Sequence, residues 1–189
     1  MLCLRYYMTI KDFCATYLDL EDQTLPFKTS LKKTIKGTRV THYGQYEDSV
    51  YFIQSGILYT ALRHKEEERI LDFHFEGSFC SSYSSLLANE PSDIRITCYT
   101  DCQLEVVNYK ELKASYRTSL LANQLGRIAT EKLFLERVTR EKELLTLTAE
   151  ERYQSLLRKK PELVQKIAIK DLSKYLGVRP ESLSRIRRN

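Results

Sequence analysis

Five polar side chains near the end of the chain, Arg179, Glu181, Ser182, Arg185 and Arg188, are of types that read the edges of nucleic-acid bases. Arginine can donate two bonds to guanine O6 and N7, and glutamate can accept from the cytosine amino group. The residues around them have the spacing to hold them in place. Leu172 and Leu176 stand four apart on one face of a first helix, and Ser173 is small where two helices must cross. Gly177 suits a turn with positive φ, which is cheap mainly for glycine. Val178 plugs that turn, Pro180 presets the start of a second helix, and Leu183 and Ile186 face the first helix. This pattern predicts a helix-turn-helix with the five polar residues on its outer side. Arg179 is a poor N-cap, and its charge opposes the positive helix end, which points to a phosphate or base as its partner. The competing reading is a helical hairpin with a charged exterior.

The charge distribution favours the first reading. The net charge is +5, yet residues 1–147 carry 19 Lys/Arg against 20 Asp/Glu, while residues 148–189 carry 11 against 5. A basic excess confined to one segment is the footprint of a binder of phosphate backbones.

The elements that must position this segment can be read upstream. Residues 1 to about 30 look helical, with Ile10, Phe13, Cys14 and Tyr17 at helix spacing. From about Leu31 to Val107 the texture changes to short runs rich in Val, Ile, Thr, Tyr and Phe, such as Val50–Ile53, Ile57–Thr60, Ile70–Phe75, Ile94–Tyr99 and Leu104–Val107. Many short strands between polar or glycine breaks predict an antiparallel sandwich or roll. Beyond it, Leu121, Leu125, Ile128, Leu135 and Val138 fall at steps of three, four or seven, an apolar stripe on one long helix. The stripe reads either as a dimer seam with coiled-coil character or as a face packed on the chain's own strands. Thr148-Ala-Glu-Glu151 is a capping box that starts a fresh helix and places a hinge near residues 145–147. The expected class is α+β. An N-terminal antiparallel β-roll of the effector type spans 1–115, a long dimerisation helix spans 116–147, and an all-α helix-turn-helix domain spans 148–189.

Other chemistry finds little support. Cys3, Cys14, Cys80, Cys98 and Cys102 include no C-x-x-C pair, and they read as reduced, mostly buried thiols. Cys98 and Cys102 come nearest, on a strand-like stretch where residues four apart share a face. Two thiols alone make no metal site. A cupin-type metalloenzyme needs clustered His with a carboxylate. The chain has only His42, His64 and His74, and His74-Phe-Glu76 is the single fragment of that kind. No phosphate-binding loop or nucleophile elbow appears, so the expectation is not an enzyme, with no metal or cofactor. No apolar run approaches the roughly 18–20 residues that span a bilayer, so a cytoplasmic protein with no membrane partner is expected.

These residues together resemble the Crp–Fnr family of transcription regulators over nearly the whole chain. The resemblance rests on Leu147-Thr-Ala-Glu-Glu-Arg-Tyr153, on Tyr175-Leu-Gly-Val-Arg-Pro-Glu-Ser-Leu-Ser-Arg-Ile-Arg-Arg188, and on Gly37, Tyr51–Leu58 and Phe75-Glu-Gly77. It implies a cyclic-nucleotide-binding-type roll, a dimerisation helix and a DNA-binding helix-turn-helix. The implied partners are double-stranded DNA with a pseudo-palindromic operator, a second copy of the chain, and RNA polymerase. It also puts Glu181 and Arg185 at base-contacting positions, and Pro180 where the best-known members carry a further base-contacting Arg, so the operator should differ. By the same resemblance an effector pocket would draw on Glu76, Gly77, Ser78, Phe79, Ser92, Asp93 and Arg95. Nucleotide-binding members carry Gly-Glu where this chain has Gly77-Ser78, and Arg-Ser where it has Ser92-Asp93. Arg95 is out of register, and a one-residue slip on a strand changes face. Usual cAMP binding is therefore not expected, and the effector is open. The cysteine cluster of the iron–sulfur sensors is reduced to Cys3 and Cys14. A second function class stays open beside this one, a signalling module whose roll binds a ligand and whose C-terminal helices are a docking surface.

Overall fold

The computed structural model describes residues 8–18, 24–65 and 67–188. Their order is α1 (Ile10–Leu18), β1 (Ser30–Thr34), β2 (Arg39–Thr41), β3 (Ser49–Ser55), β4 (Leu58–His64), β5 (Glu67–His74), β6 (Phe79–Cys80) and α2 (Tyr83–Ala88). There follow β7 (Ile94–Cys98), β8 (Cys102–Asn108), α3 (Tyr109–Ser115), α4 (Leu120–Thr146), α5 (Ala149–Lys159), α6 (Pro161–Lys166), α7 (Ile169–Leu176) and α8 (Pro180–Ile186). The class is α+β, with antiparallel sheets and one long helix. Contacts group the chain into two units: the described parts of Met1–Thr60 with Phe73–Thr130, and Ala61–Asp72 with Glu131–Asn189.

The strands form two sheets, in the orders β1-β8-β3-β6 and β2-β7-β4-β5. The central strand β3 is buried from Val50 to Gln54, because both of its faces are covered. Tyr51 and Ile53 join Leu104 of β8 and Val40, Leu58, Ile96 and Cys98 of the other sheet in one apolar cluster. Val50 and Phe52, of opposite parity, join Ile10, Phe13 and Cys14 of α1, Leu86 of α2, and Leu121 and Leu125 of α4 in a second. Alternate side chains of one strand thus feed two cores, which is the period of two at work. Phe13, Phe52 and Phe79 meet edge-on or tilted, with centroids 4.8–6.0 Å apart, arrangements that ring quadrupoles favour.

The N-terminal helix is shorter than expected. It covers Ile10–Leu18, residues 24–29 around Pro26 are not helical, and residues 1–7 and 19–23 lie outside the described residues, as does Cys3. Pro26 removes a backbone donor and biases the residue before it toward extended backbone, so helix does not reach β1. The long helix begins at Leu120 rather than 116, after a turn at Tyr116–Ser119, and runs 27 residues. Its expected stripe divides. Leu121 and Leu125 are buried in the second core and Ile128 packs beside them, whereas Leu135 is 63% exposed. The upper stripe therefore serves the chain's own fold, and only the lower stripe is left for anything else.

Gly126 lies inside α4, where glycine costs about 1 kcal/mol against alanine. A Cβ there would stand 2.8–3.0 Å from the Tyr116 ring and hydroxyl, so the missing methyl admits that ring against the helix. Cys98 and Cys102 correct another expectation: they are not on one strand but end β7 and begin β8, on either side of a turn.

Candidate nucleic-acid interface

In the second unit the capping box forms as its residue types dictate. The Thr148 hydroxyl accepts the Glu151 backbone N–H at 3.3 Å, and the Glu151 carboxylate accepts the Thr148 N–H at 2.8 Å. Bonds from the Thr148 N–H and the Thr148 hydroxyl to the carboxylate hold the Glu151 carboxyl below its usual range. Helix α4 ends at Thr146, so the break falls at Leu147–Thr148, overlapping the hinge expected near residues 145–147. Helix α6 starts on Pro161, whose missing N–H would have had no helical partner there.

Helices α7 and α8 close on each other through Leu172, Leu176 and Leu183, each 2% exposed or less, with Ser173 buried at the crossing. Gly177 adopts φ 71° and ψ 33°, the left-handed conformation, and the N–H groups of Gly177 and Val178 both donate to the Ser173 carbonyl. The chain then passes through extended Arg179 into α8, with Pro180 in its first turn. The Arg179 side chain makes no capping bond.

The outer face of α8 has a definite composition. Arg179, Glu181, Arg185 and Arg188 are exposed and Ser182 is half-buried. Arg188 lies two residues past the helix end. Arg187 is exposed as well, a neighbour not singled out by helix spacing. One ion pair of this unit joins Lys159 to Glu143 at 2.6 Å, far along the chain from α8. Arg179, Arg185, Arg187 and Arg188 are thus exposed on or beside one short helix.

Two other arginines hold α7 in place. The Arg140 guanidinium of α4 stacks 3.7 Å from the Tyr175 ring centroid and donates to the Tyr175 carbonyl at 2.5 Å. Arg152 of α5 donates to the Leu147 carbonyl at 2.7 Å and to the Leu176 carbonyl at 3.1 Å. Carbonyls in a helix's last turn lack intrahelical partners, and guanidinium groups satisfy them and oppose the negative helix end. Burial, with the Asp72 carboxylate nearby, pushes the Tyr175 hydroxyl well above its ordinary pKa, so it stays a neutral phenol. These contacts link positions 24 and 35 apart in sequence, which no local pattern marks. Alongside, burial pushes the Glu143 carboxyl up, but bonds from Lys159 at 2.6 Å and Ser155 at 2.7 Å outweigh it and leave the group below its usual value. A cleft of about 250 Å³ opens there, with Asp72, Glu143, Arg140 and Lys159 in its wall, so its charges alternate in sign.

The residues expected around an effector have the following surroundings. Glu76 is exposed. Gly77 has φ 78° and donates to the Ile53 carbonyl, while the Ser78 hydroxyl bonds the Phe75 carbonyl and accepts its N–H, closing a turn. Phe79 belongs to the aromatic group beside α1. Ser92 is buried against Ser82, oxygen to oxygen at 2.7 Å, and donates to the Ile94 carbonyl. Asp93 is exposed and accepts from Ser84 at 3.3 Å. Arg95 donates to the Tyr59 hydroxyl at 3.1 Å and lies over the Tyr43 ring. Ile94, Ile96 and Cys98 of the same strand face the core between the sheets, so Arg95 has the opposite parity. His74 is buried, with Nε2 3.4 Å from the Thr60 hydroxyl, and it ends β5, so the His74-Phe-Glu76 fragment is split between strand and turn. Among the described residues no group of three His, Cys, Asp or Glu could hold a metal ion, and no helix is long and apolar enough to cross a membrane.

No protein-family model matches the chain, and a search of curated proteins returns no match. Solved structures do match. The regulator CLP of Xanthomonas campestris, described as c-di-GMP responsive, superposes with a TM-score of 0.68 at 19% identity, covering 85% of each chain. FixK2 of Bradyrhizobium japonicum gives 0.68 at 18% identity, covering 85% of this chain and 83% of its own. A protein of Eubacterium rectale described as a transcriptional regulator of the crp/fnr family gives 0.68 at 18% identity, covering 85% and 77%. At such identities the shared property is the fold.

Proposed function

From a chain that has the Crp/Fnr fold, we propose a sequence-specific DNA-binding transcription regulator that works as a homodimer. The observation that carries the reading is the solvent face of α8. Arg179, Glu181, Arg185 and Arg188 are exposed on a short helix that Leu172, Leu176 and Leu183 fix against α7. In this reading α7 and α8 are a helix-turn-helix, the two sheets are an effector-type β-roll, and the units 1–115, 116–147 and 148–189 divide the work. Helix α8 enters the major groove, where Arg185 and Glu181 meet base edges and Arg179 and Arg188 meet phosphates or flanking bases, with Ser182 beside them.

The second copy is held by the lower stripe of α4. Phe134 and Leu135 are 64% and 63% exposed and Leu145 is 78% exposed; Phe134, half-buried Val138 and Leu145 fall at steps of four and seven, with Leu135 three before Val138. Such steps bring one seam of a helix against a partner helix. A two-fold dimer then sets two recognition helices about one turn of DNA apart, roughly 34 Å, on a pseudo-palindrome. RNA polymerase is the further partner of such a regulator, and the cytoplasm its compartment. The roll does not take cAMP in the usual way. Ser78 stands where a ribose-binding carboxylate would be needed and spends its hydroxyl on its own turn, and Asp93 would repel a cyclic phosphate.

Selection of duplexes from a random pool, followed by binding measured across salt concentrations, tests this. Enrichment of an inverted repeat is expected, with affinity falling on a log–log slope of about −0.9 per phosphate contact. No enrichment and a flat slope would mean that the α7–α8 face docks a protein instead.

A further inference from the structure

We propose that Cys98 and Cys102 are a peroxide-reactive dithiol that closes to an intramolecular disulfide. The inference rests on the sheet unit alone, so it stands or falls independently of the DNA-binding reading. Cys98 is the last residue of β7 and Cys102 the first of β8, with Tyr99–Asp101 turning between them. Thr34 of β1 is the register partner of Cys102, its hydroxyl lies 3.1 Å from Cys98 Sγ, and it also donates to the Cys102 carbonyl. The Cys102 thiol hydrogen-bonds the Cys98 sulfur. The Thr100 and Ile57 carbonyls lie 3.3 and 3.5 Å from Cys102 Sγ.

The surroundings are shaped for this approach. Gly56 faces the turn, and a Cβ on it would stand 2.7 Å from Cys102 Sγ and 2.4 Å from the Asp101 carbonyl. Only a glycine leaves Cys102 room where it is. Over the pair lie two short surface turns, joined by Lys36 N–H to Asp101 Oδ1 at 2.8 Å and Gly37 N–H to the Cys98 carbonyl at 2.8 Å. Ile35, Lys36, Gly37 and Asp101 in those turns are exposed, while both cysteines are buried. Hydrogen peroxide, hardly larger than water, is the oxidant class suited to thiols buried beside a surface turn.

The two sulfurs have different roles. The Cys102 hydrogen bond lowers the Cys98 thiol to about 7 against the effect of burial, with further help from the Thr34 hydroxyl and Lys32 and opposition from Asp101. That same bond, with burial, pushes the Cys102 thiol up, so it keeps its proton. The Cys98 thiolate attacks one peroxide oxygen, the O–O bond breaks, and hydroxide leaves, giving a sulfenic acid. The Cys102 sulfur then attacks that sulfenic sulfur as the S–O bond breaks. The departing hydroxyl takes the Cys102 proton, leaving a disulfide and water. Peroxide is reduced by two electrons and the thiol pair is oxidised by two.

The test uses the whole reduced protein, treated with hydrogen peroxide near neutral pH, then alkylated, digested with trypsin and weighed. Both cysteines fall in one tryptic peptide, residues 96–110. The expected product is that peptide about 2 Da lighter and closed to alkylation, two hydrogens having left. Formation should be much faster than in urea-unfolded protein, and should rise with pH through about 7 as the Cys98 thiolate forms. C102S should stop at a sulfenic acid on Cys98 that dimedone captures, and C98S should form no disulfide in this peptide. Both thiols still alkylatable after excess peroxide would overturn the proposal. So would pairing with Cys14 or Cys80, first oxidation at Cys102, or a rate no faster than in the unfolded chain. The wild-type mapping decides the matter even where a serine variant does not fold.

Discussion

Two glycines, 121 positions apart, make an internal comparison, because both have positive φ but only one has a neighbour where a side chain would go. At Gly177, with φ 71°, nothing lies within 4 Å of a built Cβ, so Gly177→Ala meets only the cost of a left-handed backbone. That cost is about 1–2 kcal/mol. At Gly56, with φ 93°, the same methyl would lie 2.4 Å from the Asp101 carbonyl and 3.0 Å from Cys102 Cα, backbone atoms that cannot rotate away. Overpacking adds about 1–3 kcal/mol, so Gly56→Ala should cost roughly 2–5 kcal/mol in total. Native-state hydrogen exchange read by mass spectrometry reports the α7–α8 amides and the β3–β4 amides separately, so each substitution is measured where it acts. Gly177→Asn should cost less than Gly177→Ala, because asparagine tolerates this conformation. Equal losses at the two positions, or a neutral Gly177→Ala, would refute the reasoning, the second because the turn would then not be left-handed in solution.

Three further outcomes are expected. Arg185→Ala should weaken binding to a selected duplex by about 1–3 kcal/mol and relax the preference at one base pair in a competition assay; an equal loss on every sequence would assign Arg185 to phosphate. Replacing Phe134 and Leu135 together by glutamate should convert dimer to monomer in sedimentation while the circular dichroism of the chain is kept, since both side chains are exposed. Glu143 contributes to acid stability with a definite sign. Its folded pKa lies below the unfolded value of about 4.3, so its stabilisation is full above that pH and is lost as pH falls through the folded value. Glu143→Gln should flatten the acid limb of an unfolding-versus-pH curve and leave its alkaline limb unchanged.

Local chemistry was legible in the sequence, and contacts between distant segments were not. Thr148 and Glu151 cap α5 because a hydroxyl and a carboxylate three residues apart have few other ways to satisfy the first N–H groups. Gly177 marks its turn for a similarly local reason. The strand alternation around Val50–Ile53 was visible as an apolar run, but its meaning, one face for helices and the other for the second sheet, needed both partners. Periodicity could find the α4 stripe yet could not say that Leu121 and Leu125 belong to the chain's own core, since a buried face and a seam use the same residues. Family likeness marked Ser92 and, out of register, Arg95, but could not say that Ser92 bonds Ser82 or that Arg95 bonds Tyr59. The four-residue spacing from Cys98 to Cys102 looked like one strand because a tight turn and a strand can share residue types there.

Arg140 and Arg152 are borrowed terminators: the last carbonyls of α7 are quenched by cations that belong to other helices. A peptide cut to α7 and α8 alone would lose both of them and expose the Tyr175 ring that Arg140 covers. Anyone transplanting this helix pair onto another scaffold would have to carry α5 and the tail of α4 with it, because the smallest portable piece is set by where its guanidinium groups are rooted.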